Sequence, residues 1–113
     1  MSRVLTAVRA AALATPDRPV ITSSRGTMTC ADLLAEVGFL AAELAGDNAP
    51  VGIMLDNGPD WVVADLALIA SGRPSVPIPP FFTREQTAHA LADAGASLTI
   101  SPGQDHGIRL DPT

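Results

Sequence analysis

The chain has no lysine: its seven basic residues are all arginines, spread along 113 residues and outnumbered by twelve acidic ones. A net charge of −5 without a basic patch leaves nothing to neutralise a phosphate backbone, which argues against nucleic-acid binding. An anionic membrane surface is disfavoured for the same reason. Cysteine is nearly absent. Cys30 stands alone, so no internal disulfide forms, and no Cys/His spacing suits zinc. A reducing, cytoplasmic setting is the expectation. No apolar run is long enough to span a bilayer.

Motifs for phosphate and acyl chemistry are missing too. A phosphate-cradling loop needs closely spaced glycines opening a helix, usually with lysine. Here Gly52 lies inside a predicted strand, Gly58 in a turn and Gly72 at a helix end. A serine nucleophile needs a base and an orienting acid. The two histidines, His89 on a predicted helix and His106 in the tail, have no recognisable partner and read as surface residues.

Apolar residues make up 47% of the chain and are mostly alanine and leucine. Helices therefore carry much of the mass, and one domain with a core of useful size is expected. The start contains an Ala12-Leu13-Ala14 sequence that resembles a signal cleavage site. However, Arg9 interrupts the apolar stretch, and Val4, Leu5, Val8 and Ala12 share one helical face. An amphipathic helix over residues 3–14 is the better reading. Pro16 and Pro19 bracket a rigid connector. Residues 20–22 and 27–29 flank Ser23-Ser24-Arg25-Gly26 as a short hairpin. Thr29 then caps a long helix with Asp32 in the reciprocal position, and Leu33, Val37, Leu40, Ala41 and Leu44 form its apolar stripe.

Residues 51–55 read as a fully apolar strand, suited to a sheet covered on both faces. A turn at Asn57-Gly58-Pro59 opens a helix over 59–70 that is apolar nearly all round. Trp61, Val62, Leu66 and Ile69 form one side, with Val63 and Ala67 towards the other, so cover from more than one direction is expected. Gly72 stops it before a strand at 75–78. Thr83 and Gln86 form a second capping pair for a helix ending near Gly95, and a third strand follows at 97–100. Residues 102–113 form a polar tail in which 107–110 are a candidate edge strand, whereas residues 1–101 form the main unit. The fold class is α/β: a helix-hairpin-helix start, then a β-α-β-α-β unit whose right-handed crossovers give a small parallel sheet.

Asp56, Asp60 and Asp65 lie at and after the carboxyl end of the first parallel strand, where open α/β sheets bind ligands. Asp56 would suit a magnesium ligand or phospho-acceptor, but the acidic pair and lysine of a phospho-receiver are missing. Asp60 in a first helical turn is explained by the helix dipole. Cys30 also sits in a first turn, where burial against the hairpin accounts for it better than a reactive thiol. Trp61 reads as a core anchor. Phe81 and Phe82 follow two prolines and cannot both face inwards; one lines a pocket or docks on other structure.

Five motifs in order carry a resemblance. Ala14-Thr15-Pro16-Asp17-Arg18-Pro19-Val20 is similar to a Pro-Asp-x-Pro-Ala entry. Met28-Thr29-Cys30-Ala31-Asp32-Leu33 is similar to Leu-Thr-Tyr-x-Glu-Leu, with Cys30 for tyrosine and Asp32 for glutamate. The segment 51–61 is similar to a strand and Leu-Pro-Asn-Ser-x-Glu-Trp turn, with Asp56 for proline, Gly58 for serine and Asp60 for glutamate. Leu68 to Gly72 with Val76-Pro77-Ile78 is similar to Leu-x-x-Gly-x-x-x-Val-Pro-Leu. Leu91 to Ala96 leading into Leu98 is similar to Leu-x-Asp-Ser-Gly-Ala. Together they resemble the N-terminal part of the adenylate-forming superfamily, which includes acyl-CoA synthetases, luciferases and nonribosomal adenylation domains. The Pro79-Pro80-Phe81-Phe82 turn looks closest to fatty-acyl-CoA ligases.

The resemblance implies an incomplete piece of a larger adenylate-forming N-terminal domain. The parent reaction would be ATP-dependent adenylation of a carboxylate, then thioester formation, with ATP, magnesium and coenzyme A as cofactors. These are scaffold motifs. The family's phosphate loop and catalytic lysines match nothing here, so no catalytic, cofactor-binding or metal-ligating residue is assigned, and the piece alone is expected to be inactive and to bind no cofactor. Its expected partners are the remainder of the ligase, or a second copy through an exposed apolar surface. The other readings are a stand-alone interaction module and a small flavodoxin-like ligand-binding domain.

Overall fold

The computed structural model describes residues 3–24, 26–104 and 107–113; Arg25 of the expected hairpin turn and His106 lie outside them. The order is α1 (Arg3–Ala14), β1 (Pro19–Ser23), β2 (Gly26–Thr29), α2 (Cys30–Leu44), β3 (Val51–Ile53), α3 (Pro59–Ser71), β4 (Ser75–Pro77), α4 (Arg84–Ala94), β5 (Leu98–Pro102) and β6 (Ile108–Pro112). This is the expected helix-hairpin-helix start followed by a βαβαβ unit. β1 and β2 pair antiparallel. The larger sheet runs β4-β3-β5-β6. β3 is parallel to both β4 and β5, whereas β6 is antiparallel to β5. The sheet is therefore mixed, and the edge strand suggested at 107–110 is β6.

Local chemistry explains the helix boundaries. The Asp32 N–H donates to Thr29 Oγ1 at 3.1 Å, and the Thr29 N–H donates back to Asp32 Oδ2 at 3.1 Å. Thr83 and Gln86 repeat this box at the start of α4. Each box satisfies two donors that a helix start leaves orphaned. Gly72 ends α3 in the left-handed region at φ 73°, where a β-carbon would be strained.

β3 is shorter than the expected strand over 51–55. Met54 still donates its N–H to Ile100 O, but its side chain is exposed and the chain then turns away. Alternation sorts the layers. Val51 and Ile53 join the core with α2 and α3, while Gly52 faces Leu91 of α4 on the opposite side. Leu33, Val37, Leu40 and Leu44 of α2 are buried as a stripe against Val63, Ala64 and Ala67 of α3, and Leu5 of α1 closes the cluster. Each such leucine contributes about 1.5–3 kcal/mol. Val63 and Ala67 are buried, whereas the side formed by Trp61, Val62, Leu66 and Ile69 is covered only in part: Leu66 is buried and Trp61 and Val62 pack on the core, but Ile69 is 41% exposed. No described helix is long and apolar enough to cross a membrane.

Arg73 is the buried charge that holds the lower end of the sheet, and it is 5% exposed. Its Nε donates to Ala49 O at 2.8 Å, Nη1 to Leu44 O at 3.2 Å and Nη2 to Ser97 Oγ at 2.6 Å. The Leu44 carbonyl lies at the carboxyl end of α2, where a cation also complements the helix dipole. Asp47 lies 3.6 Å away. The Ala49 N–H bonded to its carboxylate, against some desolvation and with help from Arg73, holds Asp47 below the usual carboxylate range.

Candidate functional site

A hollow of about 430 Å³ lies at the carboxyl ends of β3 and β5. The β3–α3 connection supplies Asp56 and Asn57, and the first turn of α3 supplies Asp60; the β5–β6 connection supplies Gly103 and Gln104; the hairpin supplies Ser23 and Ser24. This is where an open α/β sheet places a ligand. Asp60 occupies the first turn of α3, as its place in the sequence suggests, and Asp56 is exposed beside it. The structure therefore brings these two carboxylates to one hollow. Asp65 lies further along α3 and does not line it.

The hollow is lined by polar and acidic side chains together with Leu55, Pro59 and Pro102, with no arginine among its described lining residues. Such a lining does not fit a triphosphate. Two carboxylates would repel it, and Pro59 has no N–H to offer at the helix start. Among the described residues no group of three His, Cys, Asp or Glu side chains is placed to hold a metal ion. Among the described residues this hollow presents neither a cation for a triphosphate nor a cluster of three metal-ligating side chains.

The remaining candidates are structural. Cys30 is 1% exposed, and its N–H donates to Arg18 O at 2.9 Å, so the thiol is part of the seat of α2 on the connector. His89 is exposed on α4. Trp61 packs against the core. Phe81 and Phe82 do not both face inwards, as expected. Phe81 is 80% exposed, while Phe82 lines a hollow of about 110 Å³ with Met54 and Ile78. Their rings meet edge-to-face at 5.5 Å. Arg73 was not legible from sequence. Its only local signal is an arginine directly after a helix-stopping glycine.

The sequence matches the family of AMP-binding enzymes over residues 8–111. The chain belongs to this family. A plipastatin synthase of Bacillus subtilis is 35% identical over 97 residues, a match covering 81% of this chain and 4% of that protein. A linear gramicidin synthase of Brevibacillus parabrevis is 30% identical over 90 residues, covering 76% and 2%. The chain thus spans a few per cent of the length of these curated relatives. Among solved structures, the N-terminal subdomain of Klebsiella oxytoca NpsA aligns with a TM-score of 0.74 at 24% identity, covering 89% of this chain and 28% of that one. The o-succinylbenzoate CoA synthetase MenE of Bacillus subtilis aligns with a TM-score of 0.76 at 21% identity, covering 91% and 27%. These likenesses establish the fold as that of an adenylate-forming N-terminal subdomain, and the chain is a piece of it.

Proposed function

We propose that this stretch is the scaffold portion of an AMP-forming ligase and takes no direct part in the chemistry. The parent reaction is ATP-dependent adenylation of a carboxylate, followed by transfer to a thiol of coenzyme A or a carrier protein. The observation that carries this reading is the family match across residues 8–111, joined to a strand-end hollow that holds carboxylates and no described cation. One MenE structure contains ATP and magnesium ion, and another neighbour is an adenylation domain fused to a carrier domain, which supports this chemistry for a parent enzyme. The peptide-synthase relatives favour a carrier thiol over a fatty-acyl route through coenzyme A. A cytoplasmic setting belongs to the same proposal. The test is ATP–pyrophosphate exchange by the purified chain across amino, aryl and fatty acids. No exchange is expected; exchange with any acid overturns the scaffold assignment.

A second reading is a module that docks on a partner polypeptide or on a second copy. It is favoured by the exposure of Leu13, Phe81 and Phe39 at 86%, 80% and 74%. Removing these three side chains as Leu13→Ser, Phe39→Ser and Phe81→Ser should abolish any partner capture. Capture that survives the triple variant would end this reading.

A further inference from the structure

The two edges of the main sheet are unlike. β4 has three residues, includes Pro77 and follows Pro74, so one edge is short and poor in donors. β6 has five residues and forms the other edge. The Thr113 N–H donates to Ser97 O, and the Gly103 N–H donates to Gly107 O. In an antiparallel pair the inward and outward groups alternate. The main-chain groups of Arg109 and Asp111 therefore face β5, and those of Ile108, Leu110 and Pro112 face outwards. Among the described residues no strand lies beside this edge, and such an edge is a template for another strand.

We propose that β6 pairs antiparallel with β6 of a second copy about a two-fold axis at Leu110, joining two four-stranded sheets into one. The register is set by charge and by donors. Centring on Leu110 places Arg109 opposite Asp111 of the partner subunit, and Asp111 opposite Arg109 of the partner subunit. Those positions form a non-hydrogen-bonded pair, the type with α-carbons only about 4.5 Å apart and the closest side-chain approach. Arg109 and Asp111 already form an exposed ion pair within one strand, 2.8 Å long, and they exchange it for two pairs across the joint. In the same register the outward N–H groups of Leu110 and Ile108 meet the outward carbonyls of Leu110 and Pro112. Pro112 has no N–H, so this register leaves no outward donor of these three residues unused. Ile108 and Leu110 line one hollow with Phe39, Leu40 and Val63, and Glu36, Glu43 and Asp60 line it too, so the surface beside the joint is mixed and its carboxylates oppose a second copy at low salt. Proline and charge on an edge strand normally discourage pairing. Here their placement is self-complementary. A segment of another protein would need an acid and a base at this same spacing, which a second copy supplies by symmetry.

This inference specifies the self-association arm of the second reading above. Failure of the β6 joint leaves that reading to its own triple-serine test. The experiment is sedimentation equilibrium of the 113-residue protein at about 0.15 M salt, where screening shortens the reach of its net charge of −5 to roughly 8 Å. A concentration-dependent monomer–dimer equilibrium is expected. Arg109→Asp should weaken it by about tenfold or more, by setting like charges opposite one another. The swap Arg109→Asp/Asp111→Arg should restore it. Amide exchange at Ile108 and Leu110 should slow as the dimer fills. A monomer at every concentration up to about 1 mM overturns the proposal. So does a dimer indifferent to Arg109→Asp, or one that the swap does not rescue.

Discussion

The Cδ2 methyl of Leu91 lies over Gly52, at a place where any β-carbon on Gly52 would overlap it. Gly52 is the middle residue of β3, between the buried Val51 and Ile53. This glycine therefore sets how closely α4 approaches the sheet. α4 has no fully buried residue, so Leu91 is one of its few points of attachment.

Gly52→Val should destabilise the fold by about 1–3 kcal/mol through overpacking, and Gly52→Ala by less, since Leu91 can rotate away. Urea titration of Gly52→Val/Leu91→Ala should give less than the sum of the single changes. Additive effects would show that the two residues are not coupled.

Arg73→Met should cost on the order of 3 kcal/mol, because the Leu44 and Ala49 carbonyls lose charged donors while side-chain volume is kept. Arg73→Lys should recover only part of this, as an ammonium cannot reproduce the planar fork. Denaturant midpoints measure both. A neutral Arg73→Met would mean that water satisfies those carbonyls.

The two capping boxes should behave differently. Thr29→Ala removes the Oγ1 acceptor at the start of α2, a helix packed into the core, and should lower global stability by about 1 kcal/mol. Thr83→Ala loses the same bond in α4, whose packing is thin, and should show mainly as faster amide exchange over Arg84–Ala94.

Acid sensitivity should include a contribution from Asp47. Its carboxyl is lowered from 3.8 in the folded chain, so it stabilises the fold above that value. The contribution is lost as pH falls through the lower folded value, where the unfolded chain binds the extra proton. Asp47→Asn should flatten the loss of thermal stability below about pH 4 and leave the curve near neutrality parallel to that of the parent chain. An unchanged acid limb would show that the carboxylate is not linked to folding.

The features legible in sequence were those whose causes are local. Thr29 with Asp32 and Thr83 with Gln86 lie three residues apart, and the stops at Gly72 and Gly95 act on their own backbone. The stripe of α2 was legible because helical spacing alone defines it. Arg73 was not, since its partners Leu44, Asp47, Ala49 and Ser97 converge only after the chain has folded. Gly52 was placed in a strand without its reason, because Leu91 is thirty-nine positions away in sequence. At the candidate site, Asp56 and Asp60 could be placed at the strand end, but the contributions of the hairpin and of Gly103 and Gln104 could not.

The central claim is that this stretch supports an adenylating fold without handling the nucleotide. Calorimetric titration of the purified chain with ATP and magnesium tests it most directly. The account predicts no saturable heat up to about 1 mM ATP. Saturable binding that disappears in Asp56→Asn or Asp60→Asn would contradict it and would make the carboxylate hollow a nucleotide site.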